Sequence, residues 1–173
     1  MRNTGDEMDG FSRFFPGGTE PDPAAIRAAG LAARPFPEYA SRDEIVAVAG
    51  LVNAERADCR HFGYETPPGR LMAARPDEAA RHAFDFGYLD VLIAFEAART
   101  FIWLPDHHEF FVIFAPPAVL EKIRAAGIFA YDYDDYAHEA YFAGRRSEFL
   151  IAAGRRYTID PSGEDPDAPI ARP

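Results

Sequence analysis

RTFIWLPDHHEFFVIFA, residues 99–115, is the stretch on which the fold turns. Two apolar runs, 101–104 and 110–115, flank a short polar turn of Asp106, His107, His108 and Glu109. β-Branched and aromatic residues are denser here than elsewhere in the chain, and such side chains favour the pleated, buried surface of a strand. Pro105 cannot donate to a ladder and ends the first run. The stretch reads as a buried hairpin at the centre of a sheet.

On its C-terminal side, Pro117 suits the first position of a helix, Val119, Leu120 and Ile123 supply the apolar face, and Gly127 can close it. Beyond, segments 128–133, 140–143, 149–153 and 157–159 carry few helix signals and predict the strands of a meander. The echo of Ala143-Gly144-Arg145-Arg146 in Ala153-Gly154-Arg155-Arg156 then marks two glycine turns. From residue 161 the chain is Pro-rich and acidic, and a disordered tail over 161–173 is expected.

On the N-terminal side, Pro76 opens a helix, with Asp77 and Glu78 set against its positive end. Ala80, Phe84, Tyr88, Val91 and Phe95 recur at helical spacing and carry that helix to about residue 98. The competing reading stops it near Asp85 and makes 88–95 a strand. Segment 60–75 reads as a loop broken by Pro67-Pro68-Gly69. Before it, Ser41 and Glu44 have capping-box spacing, and Ile45, Val48, Ala49 and Val52 predict a helix over about 42–59 with Cys59 at its end. Pro35-Phe36-Pro37 forces an extended connection. A shorter helix is capped by Asp22, opened by Pro23 and ended by Gly30. Residues 1–20 read as a flexible arm whose Phe11, Phe14 and Phe15 dock onto the chain's own domain.

The 173 residues suffice for one domain with a sizeable core, placed at 21–160. Helices before and between antiparallel strands predict an α+β fold. The expected form is one antiparallel sheet of four to six strands with three or four helices, mainly on one face.

The formal charge of −10 disfavours nucleic acid and anionic membranes as partners, because the whole-molecule field repels phosphate. It suits a partner with a basic surface. A single cysteine, Cys59, excludes an internal disulfide and a cysteine-based zinc cluster. No apolar leader pattern and no stretch of membrane-span length is present, so a soluble cytoplasmic protein is expected. Lys122 is the single lysine among 18 basic residues, a bias typical of GC-rich bacterial genomes.

Two stretches have residue types suited to chemistry. In the first, His107 and His108 are adjacent and would point to opposite faces of a strand, so a polar turn is the simpler reading than a metal pair. In the second, residues 128–135 resemble the first motif of the haloacid-dehalogenase phosphatases, an apolar strand ending in Asp-x-Asp. That resemblance implies Asp132 as nucleophile and Asp134 as proton handler, but Tyr136 stands where the motif has threonine. The residues themselves favour another use. Tyr131, Tyr133 and Tyr136 interleave with Asp132, Asp134, Asp135 and Glu139, and no Lys or Arg interrupts them. Tyrosine offers rigid contact area and carboxylates pair with arginine, so this is the expected partner-binding site.

No Gly-x-Ser-x-Gly elbow or phosphate loop is present. The expected function is therefore non-enzymatic, with no cofactor or metal: an immunity protein that covers the active site of a basic bacterial toxin or nuclease. The alternative is a small metal-dependent or ligand-binding enzyme using His107, His108, His138 and Glu139. A homodimer burying the aromatic surplus is a third outcome.

Overall fold

The computed structural model describes residues 10–16, 19–38, 40–62, 69–86, 89–106, 109–129, 132–139 and 145–163. The fold is α+β, with one six-stranded antiparallel sheet. The strands are β1 (Ala32–Pro37), β2 (Ala57–Phe62), β3 (Gly69–Ala74), β4 (Asp90–Phe95), β5 (Thr100–Leu104) and β6 (Phe110–Ala115), ordered β1-β6-β5-β4-β2-β3. The hairpin that opened the reading is β5–β6, in the middle of the sheet, with Ile102 opposite Ile113 and every residue of both strands buried. Neighbouring residues of β6 serve opposite faces: Phe110, Val112 and Phe114 belong to one apolar cluster, Phe111, Ile113 and Ala115 to the other.

Two covered faces explain why these strands are apolar throughout instead of alternating. Seven α-helices are described: α1 (Gly10–Phe14), α2 (Pro23–Ala28), α3 (Arg42–Leu51), α4 (Pro76–Asp85), α5 (Pro117–Ala125), α6 (Tyr133–His138) and α7 (Arg145–Tyr157). Residues of α1, α2, α6 and α7 complete one cluster, and residues of α3, α4 and α5 the other. The helices thus cover both faces, where the sequence placed them mainly on one. Among the described residues no helix is long and apolar enough to cross a membrane.

Local signals account for most helix ends. Asp22 accepts the Ala24 N–H at 2.9 Å, and Gly30 takes the left-handed conformation at φ 70°. The Ser41–Glu44 capping box is complete. That helix stops at Leu51, however, because Asn53 turns left-handed (φ 53°) and Ala54 N–H bonds Ala49 carbonyl at 2.9 Å. Cys59 consequently lies in β2, fully buried, and burial pushes its thiol up to about 12. The described part of segment 60–75 is strand over 60–62 and 69–74 where a loop was expected; residues 63–68 lie outside the described part.

The helix from Pro76 ends at Asp85 and the next apolar run is β4, so the competing strand reading holds and the helix to 98 does not. Phe84 is accordingly 40% exposed, not part of a buried stripe. The meander expected after residue 128 is overturned where the chain is described, since it forms α6 and α7 there; the segment 140–143 lies outside the described residues. Leu150, Ala153, Gly154 and Tyr157 give α7 its buried face. Among the described residues beyond β6, only Ile159 returns to the sheet, exchanging hydrogen bonds of 2.9 and 3.0 Å with Ala33 on β1. Pro35 and Pro37 sit on that edge strand, where a missing N–H is tolerated.

Phe14 and Phe15 are buried in the core, Phe14 edge-on to Phe101 and Phe114 at 5.1 and 5.2 Å. The first aromatic segment thus packs on its own domain; the Phe11 side chain and residues 164–173 lie outside the described part.

Candidate functional site

The acidic, tyrosine-rich stretch forms α6, a helix of six residues. Asp132 is its N-cap and accepts the N–H groups of Asp134 (2.9 Å) and Asp135 (3.4 Å). Asp134 and Asp135 fill the first turn, where negative charge is favourable. The acids of this stretch therefore start a helix before they do anything else.

The three-residue spacing puts Tyr133 and Tyr136 on one face, and that face is inward. Both are 7% exposed. Tyr133 hydroxyl donates to the Leu150 carbonyl of α7 at 2.8 Å, and Tyr136 hydroxyl to the Glu109 carbonyl beside β6 at 3.0 Å. Burial, with Tyr136 and Asp134 adding, holds the Tyr133 phenol above its ordinary value. The two rings fasten α6 to the body of the protein and are almost wholly buried. Tyr131 lies outside the described residues.

The outward face of α6 carries Asp134, Asp135 and His138, followed by Glu139, all exposed. His138 Nδ1 lies 2.8 Å from the Asp134 carbonyl. Among the described residues no arginine forms an ion pair with Asp132, Asp134, Asp135 or Glu139. Of the arginines lining the clefts beside α6, Arg34 pairs with Asp160 (2.6 Å), Arg124 with Glu121 (3.2 Å) and Arg156 with Glu20 (3.1 Å).

Two clefts flank α6. One, of about 560 Å³, lies between β1, α5 and α6 and is lined by Arg34, Phe36, Arg124, Phe129 and Asp134 among others. The other, of about 1110 Å³, lies between α2, α6 and α7 and includes Arg27, Asp134, His138 and Arg155. Asp134 borders both.

The Asp132-x-Asp134 pair sits at a helix N-terminus, not at the end of a sheet strand, and Asp132 is occupied as a cap. The nucleophile geometry implied by the phosphatase resemblance is thus missing. His107 and His108 lie outside the described residues, and no group of three metal-binding side chains occurs among the described ones.

Sequence reasoning passed over two groups. Asp90, at the start of β4, is 8% exposed and accepts the Asp106 N–H at 3.3 Å. Burial, helped by the Asp106 carboxylate, pushes its carboxyl up from 3.8 to about 7. The Trp103 indole N–H acts on it from β5 without a hydrogen bond of normal geometry. The second group is a pair of imidazoles, His61 on β2 and His82 on α4, that contact each other. A lone charged residue before VLIAF, and a histidine in alternation with Ala57 and Cys59, were the available signals.

No protein-family model, curated protein or solved structure matches this chain.

Proposed function

We propose that this protein is a cytoplasmic binding module of the immunity type, which neutralises a basic bacterial toxin or nuclease by covering its active site. The observation that supports the reading is the α6 surface: Asp134, Asp135 and Glu139 are exposed and carry no cationic partner among the described residues. The net charge of −10 adds a long-range field of the matching sign. With Tyr133 and Tyr136 committed to the core, the contact chemistry falls to the carboxylates, which would receive arginine or lysine side chains of the partner. Asp132 contributes by holding the helix start, not by direct contact.

The test is a titration against a basic toxin or nuclease domain, the first candidates being any encoded beside this gene. Binding at micromolar affinity or better, about −8 kcal/mol, is expected, weakening as salt rises. Asp134→Lys with Asp135→Lys should slow association strongly. Equal affinity and rate in that variant would overturn the reading.

A further inference from the structure

The binding surface on α6 makes no use of His61 and His82. His61 follows Ala57 and Cys59 on one face of β2, and His82 lies in the last turn of α4. Two separate elements therefore bring the rings together, with His61 Nδ1 and His82 Nε2 3.2 Å apart. The His61 ring is stacked on one face. Phe86 stacks on it at 3.8 Å between centroids and 3° between planes, and also contacts the His82 ring at 4.7 Å. Gly69 of β3 lies so close that a Cβ there would overlap the imidazole. A pair this constrained keeps its nitrogen separation with little loss of side-chain freedom.

That separation has a chemical meaning. Two imidazole nitrogens, each about 2.0–2.1 Å from one tetrahedral zinc ion, stand about 3.3 Å apart. We propose that His61 and His82 form a two-nitrogen site for a divalent transition-metal ion, which ties α4 to the β2–β3 side of the sheet. Imidazole suits zinc, copper and nickel; magnesium and calcium prefer oxygen ligands. An uncharged imidazole offers a transition-metal ion a nitrogen lone pair. Asp85, three residues on from His82, is the charged group that acts on it, and its carboxylate favours a cation there. His82 is only partly buried, which gives an ion access from one side. Among the described residues no third protein ligand completes the set, so water fills the remaining positions and the affinity is micromolar, not that of a structural zinc centre. Without metal, one ring donates its N–H to the other.

The full chain titrated with zinc or copper(II) chloride by calorimetry tests this, with the melting temperature followed in parallel. Saturable one-to-one binding and a raised melting temperature are expected. His82→Gln should weaken binding by at least about tenfold, while a variant with both His107→Gln and His108→Gln should bind as the parent does. Absence of saturable binding, undiminished binding in His82→Gln, or loss confined to the His107/His108 variant would each overturn the proposal. Should His82→Gln fail to fold, the electron paramagnetic resonance spectrum of copper(II) on the His107→Gln, His108→Gln variant decides. Coupling to two nitrogens is expected, and its absence overturns the site.

Discussion

Asp90 has a buried carboxyl whose environment favours the neutral form, and its proton links stability to pH. Its carboxyl rises from 3.8 to about 7 on folding, chiefly through burial. The folded chain thus keeps a proton that the unfolded chain releases near pH 3.8. The stability this neutral acid contributes is complete below that pH and is lost as pH rises through about 7. Asparagine retains an acceptor for the Asp106 N–H and removes the titration. Asp90→Asn should therefore gain on the parent as pH rises from 4 to 8, by about 2–4 kcal/mol, one pKa unit being worth about 1.4 kcal/mol. Urea unfolding at the two pH values measures the gap, and a gap that stays constant would contradict the assignment. Little of this was legible in advance. Asp90 precedes a run of five apolar residues, and whether such a residue is solvated or buried depends on how β4 sits beside β2 and β5. The opposite case is Asp132, whose capping role is implied by an acid immediately before two further acids in a first helical turn.

At the level of elements, the β5–β6 hairpin carries a signal that was only half read. TFIWL and FFVIFA contain no polar position after Thr100, and a sheet with one solvated face would need them to alternate. The run itself thus demanded helices on both faces. Ile113 and Phe114 are neighbours that project into opposite clusters, and both are fully buried. We expect Ile113→Ala and Phe114→Ala each to cost about 2–5 kcal/mol, measured by chemical unfolding. A large loss at one position alone would mean that one face is open. The elements that escaped the sequence had mixed signals for physical reasons. β2, ADCRHF, puts Ala57, Cys59 and His61 on one face and Asp58, Arg60 and Phe62 on the other, so neither face is apolar enough to separate from loop. In α6 and α7, tyrosine and phenylalanine favour strands by local preference. Packing overrode that preference: Tyr133 and Tyr136 reach hydrogen-bond partners in α7 and beside β6 only from a helix. The capping box at Ser41 and the prolines at 23, 76 and 117 depend on local geometry alone, and those helix starts agree with the sequence.

For the molecule as a whole, covering both sheet faces determines where recognition can occur. The aromatic residues of the central strands are used up inside the chain, including Phe101, Trp103, Phe110, Phe111 and Phe114. Among the described residues, what stays exposed is the sheet rim and helix surface, and the net charge of −10 favours a basic partner for the proposed contact. Of the stretch that the sequence singled out, the acids kept an outward role and the described tyrosines did not. The contact proposed here is therefore electrostatic and fast to form, with a rate that salt reduces. Carboxyl footprinting tests it most directly. The chain, alone and in complex with the basic toxin domain, is labelled with a carbodiimide and an amine, and each acid is read by mass spectrometry. The account predicts strong protection of Asp134, Asp135 and Glu139 in the complex, with Asp43 and Asp77 on the opposite face labelled as before. Unchanged labelling of the α6 acids in a saturated complex would contradict it.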